Sequence, residues 1–327
     1  MSYVPFFYYP SPIYWVDDDS VFLQAFSCFF KENFEIKAIF TPKEALEIFS
    51  KHAVSISASS FLQACEDHEE YDLPDHFPVD LDLKSLRNLR YASKRQKDIP
   101  VIIIDYTMPE MTGIELCEQL KNMPSKKILL TGISDLSLAV KAFNDKLIDC
   151  FICKDDPNLD QELLNHIKKL QKQYFIKCSE PLLTHVQAGF NLPQSDPTFA
   201  KFFEKLCDQE NIVEYYLSDK NGGMLLVNSE GASQYLMIHT DRTLDEFINL
   251  YENDSEHMFF LRSIKNRSKI PCFRPGDKEP WELKVSAWSP YFQTPQQLEG
   301  RENYYWALVP EKIKTKAHNS SVRSLSL

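Results

Sequence analysis

The stretch Ile99–Gly113 has the sequence Ile-Pro-Val-Ile-Ile-Ile-Asp-Tyr-Thr-Met-Pro-Glu-Met-Thr-Gly, and it is the strongest structural signal in the chain. Val101–Ile104 is an unbroken apolar run, which predicts a strand covered on both faces of a parallel sheet. Pro109 and Gly113 then favour a turn, because proline fixes φ and glycine adopts conformations that other residues avoid. Asp105 therefore follows the carboxyl end of a strand, where open α/β sheets bind ligands. Taken alone, the stretch also allows Asp105 to be only a loop cap.

Strands and helices alternate on both sides of this stretch. The segment Thr41-Pro42-Lys43-Glu44 is a capping box with proline at the first helical position, which marks a helix start. The alternation predicts a doubly wound parallel (βα)5 sheet. The predicted strands are Pro12–Val16, Phe34–Phe40, Val101–Ile104, Lys126–Leu130 and Asp149–Cys153, and the predicted helices are Ser20–Glu32, Thr41–Lys51, Ile114–Asn122, Ser134–Lys146 and Leu159–Tyr174.

An insertion is expected before the third strand. Asp18 and Asp105 are 87 residues apart, whereas two helices, two strands and their loops need roughly 50. The insertion spans about residues 56–97 and consists of an acidic segment, Glu66–Asp82, and a basic, helical segment, Lys84–Lys97. The basic helix could form a phosphate or nucleic-acid surface, or it could pair with the acidic segment. The charge pattern favours the pairing.

Composition limits the possible functions. A chain of 327 residues is long enough for two domains. The net charge of −11 disfavours a general nucleic-acid or anionic membrane surface, and no segment has the apolar length of a transmembrane helix. The N-terminus lacks a basic region and a cleavage site, so we expect a cytoplasmic protein with reduced thiols. Cys150 and Cys153 form a CxxC without a second pair, so no metal site is predicted there.

The second half predicts an α+β domain with an antiparallel sheet. Ile212–Leu217 and Met224–Val227 flank Asn221-Gly222-Gly223, which is a hairpin signal. A capping box at Thr243 opens a helix to about Tyr251. Another helix is expected at Glu256–Asn266, and further strands at Tyr235–His239, Trp281–Phe292 and Tyr304–Val309. The predicted organisation is an extension at 1–11 docked on a neighbouring surface, a first domain at 12–178, a connecting helix or linker at 179–196, the α+β domain at 197–311, and a disordered tail at 312–327.

Five polar residues lie at the carboxyl ends of the predicted parallel strands, namely Asp17, Asp18, Asp105, Thr131 and Lys154. Three carboxylates that converge there would repel one another unless a cation lies between them, and Mg²⁺ suits oxygen ligands of this kind. A hydroxyl and an ammonium group complement phosphate oxygens. A carboxylate can itself be a nucleophile that forms an aspartyl phosphate.

These positions resemble the receiver domain of two-component response regulators. The resemblance covers about residues 12–174 apart from the insertion, and it implies a flavodoxin-like fold. The matching motifs are Val16-Asp17-Asp18-Asp19, Asp105-Tyr106-Thr107-Met108-Pro109-Glu110-Met111-Thr112-Gly113, Leu130-Thr131-Gly132 and Phe151-Ile152-Cys153-Lys154.

The resemblance implies that Asp105 accepts a phosphoryl group from a sensor histidine kinase or a phosphotransfer protein. Asp17 and Asp18 would hold Mg²⁺ together with Asp105 and the backbone carbonyl of Thr107. A receiver catalyses only its own phosphorylation and dephosphorylation, so the chain is not expected to be an enzyme that turns over a substrate.

The same resemblance implies a switch at Thr131, which would follow the phosphoryl group while Lys154 pairs with it. Phe151 matches the aromatic residue that turns inward when Thr131 moves, although a strand aromatic can also be plain core. Receivers usually have proline after the lysine, whereas this chain has Asp155, which puts the shape of that loop in doubt. A phosphohydrolase would need a second acid two residues after the nucleophile, and that position holds Thr107.

The output of the second half is less defined. Residues 197–311 contain 12 Lys and Arg against 18 Asp and Glu, which disfavours nucleic-acid binding, and the basic cluster from Arg262 to Arg274 is the one exception. The hairpins and aromatics suit a PAS-like sensing or protein-interaction module. The Val213–Val227 hairpin and the ending Tyr304–Val309 resemble the output region of quorum-sensing response regulators of the α-hydroxyketone type. That resemblance implies a phosphorylation-controlled homodimer, with nucleic-acid contact as the alternative.

Overall fold

The structure is a computed structural model that describes residues 3–51, 58–64, 79–132, 136–187, 192–251, 257–278 and 280–311. Most of the acidic half of the predicted insertion and the predicted disordered tail lie outside these ranges. Within them the chain forms one parallel and one antiparallel large sheet. No described helix is long and apolar enough to cross a membrane.

The described helices and strands are labelled in chain order. The helices are α1 (Ser20–Phe30), α2 (Pro42–Ser50), α3 (Leu83–Asn88), α4 (Gly113–Gln119), α5 (Leu136–Asn144), α6 (Leu159–Gln187), α7 (Pro197–Gln209), α8 (Asp241–Tyr251) and α9 (Met258–Lys265). The strands are β1 (Phe7–Tyr8), β2 (Ile13–Val16), β3 (Ile36–Ile39), β4 (Leu62–Ala64), β5 (Val79–Leu81), β6 (Val101–Asp105), β7 (Lys126–Thr131), β8 (Cys150–Cys153), β9 (Ile212–Leu217), β10 (Met224–Asn228), β11 (Ser233–Thr240), β12 (Ile270–Pro271), β13 (Phe292–Gln293), β14 (Gln296–Glu299) and β15 (Asn303–Pro310).

The parallel sheet confirms the predicted flavodoxin-like (βα)5 fold. Its strand order is β3-β2-β6-β7-β8, and every neighbouring pair is parallel. β6 lies at the centre and all five of its residues are buried, which is the environment that its unbroken apolar run requires. Helices α2, α4 and α5 cover one face of the sheet, whereas α1 and α6 cover the other. The order brings the ends of β2, β6, β7 and β8 to one edge.

Two helix starts in this half are capped by side chains, and the cap at Thr41 was predicted from the sequence. Thr41 accepts a hydrogen bond from the backbone N–H of Glu44, and Pro42 is the first residue of α2. Thr112 and Glu115 form a complete capping box at the start of α4. Each cap satisfies an N–H group that the helix itself leaves without a partner. These caps fix where the loops between strands and helices end.

The second sheet is antiparallel, as predicted, with the order β1-β9-β10-β11-β15-β14. The hairpin between β9 and β10 contains Gly222, whose φ of +91° explains the glycine. The carboxylate of Asp219 closes this turn by accepting hydrogen bonds from the backbone N–H groups of Asn221 and Gly223. β1 comes from the predicted N-terminal extension and pairs with β9.

Several predictions for the second half were wrong in detail. The segment predicted as a strand at Trp281–Phe292 is instead a series of 3-10 turns that ends in the two-residue strand β13. Trp288 is fully buried among aromatic rings, and its indole N–H donates to the carbonyl of Pro280. The apolar residues of this segment therefore serve an aromatic cluster and not a sheet face. β14 was not predicted because its sequence, Gln-Gln-Leu-Glu, has the polar composition of an exposed edge strand.

Two helix boundaries also differ from the predictions. α8 begins at Asp241, because the hydroxyl of Thr240 accepts a hydrogen bond from the backbone N–H of Thr243; Thr240 therefore holds the capping position predicted for Thr243. α6 continues past the predicted end at Tyr174 and through Pro181 to Gln187, so the first residues of the segment predicted as a connecting helix or linker at 179–196 are helical.

The described basic half of the insertion contacts the second sheet. It forms α3 and two 3-10 turns. Arg87, Arg90 and Arg95 hydrogen-bond to residues of the second sheet and its loops. Asp82 of the predicted acidic segment caps α3 by accepting from the backbone N–H of Ser85. These three arginines therefore bind the second sheet, and most of the acidic segment predicted to pair with the basic helix lies outside the described residues.

Candidate functional site

Three consecutive aspartates follow β2, and each has a different environment. Asp17 is fully buried and its carboxylate accepts a hydrogen bond from the backbone N–H of Asp19. Asp18 is exposed. The side chain of Asp19 accepts from the backbone N–H groups of Val21 and Phe22 and caps α1. Two of the three carboxylates therefore remain available to the sheet edge.

Asp105 ends the central strand β6, next to β2, and its side chain is 8% exposed. The ammonium group of Lys154 lies 2.9 Å from a carboxylate oxygen of Asp105 and 2.9 Å from one of Asp17. Lys154 follows β8, and its backbone N–H donates to the carbonyl of Thr131, which fixes the turn. The sheet thus brings together three residues that are far apart in the sequence.

Burial and charge shift the pKa values of this group in a consistent way. Burial raises the pKa of Asp105 above its ordinary value, although the hydrogen bond from Lys154 acts in the opposite direction. Burial alone would lower the pKa of Lys154, but its hydrogen bonds to Asp105 and Asp17 outweigh that effect and raise the pKa. One ammonium group therefore lies between two buried carboxyl groups and interacts with both.

The loop after Asp105 folds back on the strand. Its backbone N–H groups find partners close by, since Tyr106 donates to the carbonyl of Leu130 and Gly113 donates to the carbonyl of Tyr106. A Cβ atom at position 113 would lie 2.2 Å from the backbone oxygen of Asp105 and 2.9 Å from Leu129. Gly113 is required for this close approach and not for a left-handed φ, which corrects the reason given from sequence. The left-handed residue of the loop is Glu110, with φ of +70°.

The remaining predicted site residues lie around the same edge. Thr131 ends β7, next to β6, and is fully buried, with its hydroxyl donating to the carbonyl of Gly132. The backbone N–H of Thr107 donates to the carboxylate of Asp105. Phe151 is half-buried on β8, and its ring packs edge to face against Phe143 of α5 at 6.3 Å.

The acidic residues suit a hard divalent cation. Carboxylate oxygens of Asp17, Asp18 and Asp105 all lie within 4.8 Å of one another. Only oxygen donors are present in this group, the ligand type that Mg²⁺ prefers. The exposure of Asp18 leaves one side of the group open to solvent. The donor set therefore fits Mg²⁺, and the backbone carbonyl of Thr107 is the further oxygen that the receiver resemblance adds.

The fold is similar to that of the Legionella pneumophila response regulator LqsR. The two chains are 27% identical, the TM-score is 0.77, and the match covers 94% of this chain and 90% of LqsR. The chain is built like a response regulator. A receiver domain from Methanospirillum hungatei JF-1 matches 51% of the chain and 98% of its own length, with 20% identity and a TM-score of 0.34. The Francisella response regulator 1452 receiver domain matches 50% of the chain and 97% of its own, with 19% identity and a TM-score of 0.33. No family model and no curated protein matches the chain.

The likeness to LqsR extends beyond the receiver. Because the match covers nearly the whole chain, it includes the antiparallel sheet of this chain as well as the parallel sheet. One residue near the site was missed from sequence: the ring of Phe22 lies 4.7 Å from the ammonium group of Lys154. The sequence of α1 gives no sign of the cation that this ring faces.

Proposed function

We propose that Asp105 is the phosphoacceptor of a phosphorelay and that the phosphoryl group comes from a sensor histidine kinase or a phosphotransfer protein. The observation that carries the proposal is the position of Lys154, 2.9 Å from the carboxylates of both Asp105 and Asp17. An ammonium group in this place can pair with oxygens of an incoming phosphoryl group without a rearrangement of the backbone. The likeness to a response regulator over nearly the whole chain supports the same function.

The transfer is a displacement at phosphorus. A carboxylate oxygen of Asp105 forms the new P–O bond while the P–N bond of the donor phosphohistidine breaks, and the electron pair returns to the imidazole. The backbone N–H of Thr107 orients the Asp105 carboxylate. When bound between Asp17, Asp18 and Asp105, Mg²⁺ supplies positive charge that offsets the repulsion between carboxylates and phosphoryl oxygens.

The switch that follows involves Thr131 and Phe151. A phosphoryl group on Asp105 adds about −1.5 to −2 charge, and it favours movement of the Thr131 hydroxyl from Gly132 toward its oxygens. Thr131 is fully buried, so its movement opens space that Phe151 can enter. The contact between Phe151 and Phe143 then changes, and with it the surface of α5.

For the output we propose control of a homodimer in quorum sensing or gene expression, which the resemblance of the second half to quorum-sensing response regulators implies. Nucleic-acid binding is the alternative output. The charge of the second half opposes it, and two members of its basic cluster are already paired with acids, Arg267 with Asp241 and Asp245, and Arg274 with Asp277. Anisotropy of labelled DNA and RNA with the full chain at low salt would reveal binding, which would then have to weaken with added salt.

Incubation with acetyl phosphate and Mg²⁺, followed by intact mass measurement, tests the phosphoacceptor. The wild-type chain should gain one phosphoryl group, which EDTA should prevent. Asp105→Asn should gain none. Asp145→Asn, an exposed aspartate at the end of α5, should be labelled like the wild type. Labelling of Asp105→Asn at the wild-type level would refute the assignment, and continuous hydrolysis of a phosphate monoester by the wild type would favour a phosphohydrolase.

A further inference from the structure

One helix belongs to the hydrophobic cores of both sheets. Leu163 and Ile167 of α6 are fully buried in the core of the parallel sheet. Phe175 and Leu182 of the same helix are fully buried in the core of the antiparallel sheet. The described part of α6 is continuous from residue 159 to 187. A movement of this helix therefore acts on both cores.

The N-terminal extension makes a second connection. Phe7 and Tyr8 pair with Tyr216 and Tyr215 of β9 in the antiparallel sheet, and five residues later the chain enters the parallel sheet at Ile13. The side chains of Phe6, Phe7 and Tyr9 are almost fully buried. The Tyr9 hydroxyl donates to the carboxylate of Asp98, which lies three residues before the start of β6. An extension at the end of the chain thus ties the two sheets together.

The insertion makes the third connection, through an arginine clamp that consists of Arg87, Arg90 and Arg95. Arg95 donates two hydrogen bonds to Glu214 of β9, at 2.9 and 2.6 Å, and its guanidinium lies 5.1 Å from the ring of Tyr9. The bidentate geometry of such a pair adds specificity as well as energy. The Glu214 side chain is only 10% exposed.

The other two arginines of the clamp bind different strands of the same sheet. Arg90 donates to Glu311, which follows β15, and to Ser233 at the start of β11, both at 2.9 Å. Arg87 donates to the carbonyl of Ser218, which follows β9, at 2.6 Å. The clamp therefore reaches three strands and is not a single surface ion pair.

We propose that the arginine clamp makes the two sheets one cooperative unit and that it carries the state of Asp105 to β9. The geometry supports this because the clamp leads directly into the strand that ends at Asp105: Asp98 follows the last 3-10 turn of the insertion, and β6 begins at Val101. The transmission from Asp105 to β9 rests on the proposed function of Asp105. The cooperative unit of the two sheets does not depend on that function.

Hydrogen exchange of the full chain at increasing urea tests the cooperative unit. In the wild type, the amides of β6 and β9 should open with the same free energy and the same urea dependence. In Arg95→Met, exchange of the β9 amides should become about tenfold faster, because a charge-assisted hydrogen bond at a largely buried acid is lost, while β6 should change much less. Lys97→Met, an exposed lysine in the same 3-10 turn, should behave like the wild type.

Independent opening of β9 in the wild type would refute the cooperative unit, as would equal effects of Arg95→Met and Lys97→Met. If Arg95→Met does not fold, Glu214→Gln tests the same pair. The double variant Arg95→Met/Glu214→Gln should exchange no faster than the more affected single variant, because both remove the same interaction. Additive effects would show that the two residues do not act through each other.

Exchange with and without acetyl phosphate and Mg²⁺ tests the transmission. Labelling should change protection of the β9 amides in the wild type, and this change should disappear in Arg95→Met although Asp105 is still labelled. A wild-type chain that is labelled without a change at β9, or a change that persists in Arg95→Met, would refute the transmission. Failure of labelling itself would refute the proposed function, whereas the urea experiment would still decide the cooperative unit.

Discussion

The ammonium group of Lys154 lies between two buried carboxylates and faces the ring of Phe22. Sequence spacing predicted Lys154, Asp17 and Asp105 at one sheet edge, because parallel strands end together. It could not predict that Lys154 would bridge both acids, since that depends on the position of side chains across three strands. The carboxylates of the site carry more negative charge than the one ammonium group of Lys154 can neutralise.

Lys154→Met should destabilise the protein at pH 7 in EDTA by about 3 kcal/mol, because it leaves two largely buried carboxylates without their cation. Millimolar Mg²⁺ should restore more stability to this variant than to the wild type, since it replaces the missing charge. Urea unfolding measures both effects. Lys168→Met, an exposed lysine of α6, should unfold like the wild type, and equal losses in the two variants would contradict the account.

Asp105→Asn should be more stable than the wild type at pH 7 in EDTA, with an unfolding temperature about 2 °C higher. The sign follows from the raised pKa of Asp105. A raised pKa means that the folded state prefers the protonated acid, so the wild type loses stability as the pH rises through the folded pKa. The advantage of the amide should vanish below the ordinary pKa of an aspartate, and an advantage that does not depend on pH would contradict this reason.

At the scale of elements, apolar patterning predicted the parts of the chain where one face or both faces are buried. The central strand β6 and the β9–β10 hairpin are examples, and so is the capped start of α2. The patterning failed where apolar residues pack in an aromatic cluster instead of on the face of a helix or strand, as at Trp288. It also failed for an edge strand whose residues are polar, β14. It also could not find the partners of the insertion, because Arg90 and Glu311 are 221 residues apart.

Gly113→Ala should destabilise the protein by about 3 kcal/mol, because the added Cβ would overlap the backbone oxygen of Asp105 and the side chain of Leu129. The first turn of α4 would have to move away from β6, so labelling by acetyl phosphate should also slow. Chemical denaturation and labelling rates measure these effects. Glu118→Ala, on the exposed side of the same helix, should change stability by less than about 0.5 kcal/mol.

At the scale of the whole molecule, the two sheets share α6, and the N-terminal extension and the insertion also connect them. The exposed apolar residues of α5 are Leu138, Val140 and Phe143, next to the strand that carries Phe151. A surface of this kind is typical of a site where a second molecule binds. Because it lies beside the proposed switch, we expect phosphorylation to affect self-association through this surface.

Acetyl phosphate and Mg²⁺ should change the fraction of dimer of the full chain, as measured by sedimentation velocity. Phe143→Ser should abolish that change while Asp105 is still labelled, because it removes an apolar contact beside the switch. Phe259→Ser, at a more exposed aromatic on α9, should respond like the wild type. Loss of the response in both variants would mean that the surface of α5 is not the one that matters.

The continuity of α6 has a consequence for how such a gene can recombine. Receivers are often treated as interchangeable domains. A crossover near residue 178 would, however, cut this helix inside a shared core and separate Phe175 from the residues that it packs against. A functional chimera would have to inherit the extension, the insertion and the whole of α6 from the same parent. The halves of this protein are therefore expected to be inherited together.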